Sequence, residues 1–123
     1  MSDQNIETEI QATATAPRVT PADIEANIAS EHYFTAADGV LGAYKNNNDV
    51  HQGSTAGSPA LALLTFCVLV LRNGFTVTGE SACASPENFN AEIGKKIARE
   101  NAINKVWPLM GYELRSKLAG GAQ

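Results

Sequence analysis

Asn73-Gly74 separates two runs of β-favouring residues, positions 63–71 and Phe75-Thr76-Val77-Thr78-Gly79, and nothing else in the 123-residue chain limits its fold so tightly. Both residues of the pair tolerate the positive φ of a type I′ turn, so the pattern predicts an antiparallel hairpin closed by a two-residue turn. Such a turn sets Arg72 opposite Phe75, Val70 opposite Val77, Val68 opposite Gly79, Phe66 opposite Ser81 and Leu64 opposite Cys83. Alternate residues of a strand share a face. Phe66, Val68, Val70, Phe75 and Val77 then form one apolar face, expected beneath a helix. The opposite face carries Cys67, Leu69 and Leu71 beside Thr76, Thr78 and Glu80, and its apolar half calls for a second cover, the first helix or another subunit. Two strands alone are barely stable.

Helices are expected on both sides of the hairpin. Thr20 suits an N-cap, Pro21 the first helical position, and Asp23 completes a capping box. Ile24, Ile28 and His32 or Phe34 continue as one stripe, so this helix is predicted to end near Phe34. A second cap-and-proline pair, Ser85-Pro86, precedes a long helix predicted from about Phe89 to Trp107. One half of its wheel holds Ile93, Gly94, Ile97, Ala98 and Ala102, and the other Glu92, Lys95, Lys96, Arg99 and Glu100. Further on, Ile103, Val106, Trp107 and Met110 form an apolar stripe on the side that was charged one turn earlier, which calls for a second packing partner. Pro108 lacks an amide donor and predicts a kink or stop there, with a short further segment over 112–118.

Together these signals describe a single small α+β domain over residues 19–118. Residues 1–18 carry no helical or strand period and are expected to form a disordered tail, as are 119–123. Residues 45–59 have the composition of a mobile loop, and 36–44 fit no single pattern. The first 31 residues carry a net charge of −5 and residues 87–118 a net of +2. The whole chain has a net charge of −4 and a pI near 5.0, which excludes a strongly basic nucleic-acid binder. Its longest mostly apolar run, residues 60–71, falls short of the roughly 20 residues of a membrane span. The first residues lack the pattern of a secretory signal.

Motifs with chemistry are scarce. The predicted register points the Cys67 and Cys83 thiols to opposite faces, so no disulfide is expected. Cys83 precedes a helix start, where a thiol pKa can fall, but a nucleophile needs a base, and only His32 and His51 exist. No catalytic residues, metal site or cofactor are therefore assigned. Lys95, Lys96 and Arg99 read either as an anion site or as a solvated face stitched by Glu92 and Glu100. Arg72 and Phe75 at the hairpin tip read as a cation beside a ring for a ligand, or as core. Leu69, Leu71, Ile103, Val106, Trp107 and Met110 read as internal core or as the seam of a homo-oligomer or partner interface.

Several strings resemble one known family: Thr65-Phe66-Cys67, the twelve residues from Arg72-Asn73-Gly74-Phe75 to Ser81-Ala82-Cys83, and Pro86-Glu87-Asn88-Phe89. Glu92-Ile93-Gly94, Ile97-Ala98-Arg99-Glu100-Asn101-Ala102 and Trp107-Pro108-Leu109-Met110-Gly111-Tyr112 extend the likeness, as does Glu31-His32-Tyr33-Phe34-Thr35. The family is that of small tailed-phage proteins typified by gene 49 of phage N-four and gene 66 of phage Sf-six, and the resemblance covers roughly residues 20–118. It implies an accessory protein made by a bacteriophage or prophage in the cytoplasm of its bacterial host. It carries over no catalytic residues.

Packing signals without a convergent polar constellation favour a non-enzymatic protein that binds a host protein, or itself. The alternative is sequestration of a small anionic ligand, such as a nucleotide defence signal, near Lys95, Lys96 and Arg99. Weak nucleic-acid binding ranks third, because the N-terminal segment is acidic.

Overall fold

The computed structural model describes residues 2–13, 16–47 and 58–120. It has the α+β architecture expected: α1 (Ser2–Thr13), α2 (Pro21–Ala26), β1 (Ile28–Thr35), α3 (Ala36–Asn47), β2 (Leu64–Leu71), β3 (Thr76–Ala82) and α4 (Ala91–Gly120). Single 3-10 turns over Pro59–Leu63 and Pro86–Asn88 lead into β2 and towards α4. The strands form one antiparallel sheet in the order β1-β2-β3.

The capping box at Thr20 is present in both directions, Asp23 N–H to Thr20 Oγ1 at 3.1 Å and Thr20 N–H to Asp23 Oδ2 at 2.9 Å. The helix it starts is a short one, however. It ends at Ala26, and the residues expected to prolong it to Phe34 form β1 instead. Ile28, Tyr33, Phe34 and Thr35 favour strands, and the free edge of β2 offers their amides a ladder. β1 pairs from Ile28 opposite Leu71 to Thr35 opposite Thr65, with an irregularity between Ile28 and Ser30. A second capping box, Thr35 with Asp38, turns the chain into α3, which runs through the ambiguous stretch and three residues into the expected loop. Residues 48–57 of that loop lie outside the described residues. So do Met1, residues 14–15 and residues 121–123 of the expected tails, whereas residues 2–13 are helical.

The hairpin is where it was expected, one residue out of the expected register. Its loop has three residues, not two. Gly74 N–H donates to Leu71 O at 2.9 Å, Leu71 N–H donates to Phe75 O at 2.8 Å, and Gly74 has φ +89°. This is a tight turn followed by a left-handed glycine, the geometry of a three-residue loop with a bulge. Leu69 therefore faces Val77, Cys67 faces Gly79 and Val70 faces Thr76. A slip of one turns every β3 side chain over relative to β2. The face beneath α4 consists of Cys67, Leu69, Leu71 and Val77, all buried, while Phe66, Val68 and Val70 lie on the outer face. There Phe66 stacks on Phe34 with ring centroids 5.5 Å apart, and Gly39 of α3 packs against the Phe34 ring.

The buried face of α4 shows why this side was chosen. Gly94, Ala98, Ala102 and Val106 recur every four residues and are buried, whereas Ile93 and Ile97, expected to pack, are 54% and 44% exposed. Small residues let the helix axis approach the sheet closely. At Gly79 the approach is so close that a Cβ would lie 2.1 Å from Ala98 O and 2.3 Å from Ala102 N. Gly94 makes the corresponding contact with Thr65 near the other end of the strand. Gly79 shares the face of Val77 in either register; the slip changes the β2 face beside them, placing Cys67, Leu69 and Leu71 under the helix in place of Phe66, Val68 and Val70.

Asn90, not Ser85, caps α4, its Oδ1 accepting from Ile93 N–H at 3.1 Å. The helix continues through Pro108 to Gly120 instead of stopping. Pro108 and Asn104, whose carbonyl it leaves without an amide partner, both lie on the exposed side, where water can satisfy that carbonyl.

A hydrogen-bonded ionic network fixes α4 laterally. Arg99 grips Glu25 of α2 through Nη1 and Nη2, at 3.1 and 2.7 Å, and Glu31 of β1 through Nε and Nη2, at 3.1 and 3.2 Å. Tyr33 donates to Glu31 Oε1 at 2.6 Å. Arg99 and Tyr33 together hold the Glu31 carboxyl below its usual range, and the two carboxylates push the Arg99 guanidinium up. On the opposite flank Asn101 Nδ2 donates to Glu80 O at 2.8 Å.

Candidate ligand cleft at the hairpin tip

Thirty residues of α-helix span about 45 Å and eight residues of strand about 26 Å. Because α4 starts at the far end of β3 and runs back toward the turn, its last part overhangs the hairpin tip. An open cleft of about 730 Å³ lies between that overhang, the tip and the end of α2. Its apolar floor includes Val19, Leu71, Phe75, Leu109, Met110 and Leu114, and its cations are Arg18, Arg72 and Lys117. Asp23 and Glu113 bring negative charge, and Ala26, Asn27 and Asn73 complete the wall. The volume lies within the range of small-molecule sites, which combine an apolar lining with a few fixed polar groups.

Arg72 is fixed by its near end. Its backbone N–H donates to Asn27 O at 2.9 Å and its Nε to Ala26 O at 2.7 Å, which satisfies a carbonyl at the C-terminus of α2. Its two terminal nitrogens have no protein partner among the described residues. Phe75 is held by its own N–H, which donates to Asn73 Oδ1 at 2.9 Å, and its ring is 55% exposed rather than in the core. Arg18 pairs with Glu7 of α1 through two hydrogen bonds, Nη1 to Oε1 at 2.8 Å and Nη2 to Oε2 at 2.6 Å. That pairing lowers the Glu7 carboxyl and raises the Arg18 guanidinium. Lys117 and Glu113 stand 4.0 Å apart, one helical turn from each other.

Of the five ligand residues named from sequence, the cleft thus gathers Arg72 and Phe75. It does not include Lys95, Lys96 or Arg99. Arg99 is committed to Glu25 and Glu31, and Lys95 sits 3.7 Å from Glu92. Among the proposed seam residues, Leu69, Leu71 and Val106 are buried in the subunit's own core, and Ile103, Trp107 and Met110 pack against that core. Arg18, Glu113 and Lys117 were missed. The signal for the latter two, an acid and a base four residues apart, lay beyond the proline at which a kink or stop was expected, in the short further segment over 112–118.

Both cysteines are free. Cys67 is fully buried, and burial pushes its thiol up. Cys83, four residues beyond the Gly79 that faces Cys67, donates to Ser85 O at 3.1 Å. His32 lies on β1, on the far side of β2 from β3, and pairs with Ser30 Oγ at 3.0 Å. His51 lies outside the described residues. Among those residues no group of three metal-ligating side chains comes together, and no helix is long and apolar enough to cross a membrane.

A family model matches residues 19–118, from the cleft-lining Val19 through the whole sheet and nearly all of α4. The chain belongs to the phage protein (N4 Gp49/phage Sf6 gene 66) family. The family match thus spans the cleft except for Arg18, and leaves out α1. No curated protein and no solved structure matches the chain.

Proposed function

We propose that this phage-family protein acts by binding, without catalysis, and that its hairpin-tip cleft sequesters a small anionic ligand carrying a planar ring, the chemistry of a nucleotide. One observation carries the reading. Arg72, whose two terminal nitrogens have no partner among the described residues, and Phe75, with an exposed side chain, line one cleft together with Arg18 and Lys117. A guanidinium offers paired N–H donors to a phosphate, and an exposed ring offers a stacking surface to a base. The anion site moves in this way from the long helix, where the sequence had placed it, to the turn. Placement in the host cytoplasm belongs to the same proposal.

A thermal-shift screen with mono-, di- and cyclic nucleotides tests it. A ligand at 100 times its Kd stabilises by about 2.7 kcal/mol, which is readily visible as a rise in Tm. At least one nucleotide is expected to stabilise the wild-type protein, with the effect lost in Arg72→Ala and Phe75→Ala and kept in Lys95→Ala. If no nucleotide stabilises the protein, the cleft is not this kind of site.

A second reading, docking of a host protein, is favoured by a different observation. Leu109, Tyr112 and Leu118 are exposed on the overhang of α4. Unchanged capture of host proteins by a Tyr112→Glu variant would count against it.

A further inference from the structure

One cation of the cleft lining, Arg18, is already paired with an anion, and that anion belongs to the chain itself. Glu7 is only 9% exposed, and its carboxylate makes with Arg18 the two-bond fork that a phosphate makes with a guanidinium. We infer that Arg18 is the anchor for the ligand's anionic group and that Glu7 occupies it in the free protein, making α1 a strap that ligand must displace. This rests on the cleft being an anion site.

Three observations converge. The cations of the lining are Arg18, Arg72 and Lys117 and its carboxylates are Asp23 and Glu113, a net of +1 that Glu7 brings to zero. With Glu7 on Arg18, the formal charge around the cleft is balanced, and the departure of Glu7 leaves an excess of one cation. α1 itself is suited to this contact. Its sequence, SDQNIETEIQAT, contains three acids and no base, so it brings only negative charge to the wall. Nor does α1 contribute to the apolar core, and Gln11 and Thr13 direct their side-chain hydrogen bonds back into α1. Release of the strap consequently breaks the Glu7–Arg18 fork without opening the buried apolar core, and an incoming phosphate restores the fork that Arg18 loses. Ligand and α1 compete for one guanidinium, so each weakens the other's hold by the same factor.

Calorimetric titration of the full chain with ADP and with inorganic pyrophosphate, alongside hydrogen exchange of residues 2–13, tests this. Glu7→Gln is expected to bind ADP at least about fivefold more tightly than wild type. Saturating ADP is expected to speed exchange in α1 of the wild-type protein. Binding by wild type that is lost in Arg72→Ala, with Glu7→Gln no tighter and α1 exchange unchanged, would overturn the strap and leave the cleft intact. Absence of binding of both probes to wild type and to Glu7→Gln would overturn the anion site itself, and the strap with it. Should Glu7→Gln perturb folding, the exchange measurement on wild type still decides.

Discussion

Replacing Gly79 by alanine adds one carbon where the sheet and α4 meet most closely. The new Cβ would stand 2.1 Å from Ala98 O, 2.3 Å from Ala102 N and 3.0 Å from Ala102 Cα. All three are backbone atoms of a helix, so no side-chain rotation relieves the clash. Restoring an ordinary contact requires α4 to retreat by about 1 Å, and a gap of 0.5–1 Å forfeits roughly a quarter to a half of the dispersion energy of the facing atoms. Those atoms belong to the core itself: Cys67, Leu69 and Val77 on the sheet, Ala98, Ala102 and Val106 on the helix. Overpacking a core usually costs 1–3 kcal/mol, and the rigid backbone neighbours here put the cost near the top of that range, about 3 kcal/mol. A domain of this size has about 5–15 kcal/mol in all, and the expected drop in Tm is about 10 °C or more. Thermal and urea unfolding followed by circular dichroism measures it. Gly111→Ala is the matched control. No atom lies within 4 Å of its Cβ position, and the site is exposed in mid-helix. There alanine should stabilise by up to about 1 kcal/mol. A Gly79→Ala protein melting within about 2 °C of wild type, or indistinguishable from Gly111→Ala, would refute the close-approach argument.

Two further outcomes follow from the polar groups. The Glu31 carboxyl is held down by Arg99 and Tyr33, so its contribution to stability is complete above the unfolded carboxylate range, near pH 4.3, and is lost as pH falls through its depressed folded value. The stability gap between wild type and Glu31→Gln, from urea unfolding across this range, should be widest near neutrality and close in acid; a gap independent of pH would contradict the network. In thiol titration with Ellman's reagent, Cys83 should react in the native protein and Cys67 only on unfolding, because Cys67 is fully buried and its thiol is pushed up. Equal reactivity of both in the folded state would contradict the packing.

Local signals were legible wherever the chain decides its own conformation locally. Thr20 with Asp23, Asn73-Gly74 and the small-residue spacing Gly94, Ala98, Ala102 are all of this kind, and each appears in the structure. β1 was hidden because its partner lies some forty residues away, and Ile24, Ile28 and Phe34 fit a helical stripe by chance of spacing. The register turned on a single residue. Asn-Gly serves two-residue and three-residue loops alike, and what separates them is a long-range choice, which face of β2 lies beside Val77 and Gly79 beneath α4. The strand glycine and the small-residue stripe, read together, were a clue to the close approach of helix and sheet, which either register allows. The cleft was half legible. Arg72 and Phe75 stand in the turn motif, but the walls supplied by Arg18 and Lys117 depended on a tail that folds and a proline that a helix tolerates.

The measurement that bears most directly on the binding cleft is a chemical-shift map of the amide resonances during titration with ADP. Shifts concentrated at Arg72, Asn73 and Phe75, with Leu109, Glu113 and Lys117 across the cleft, are the predicted result. Shifts concentrated instead around Lys95 and Lys96 on the first half of α4, with the hairpin tip unmoved, would contradict it.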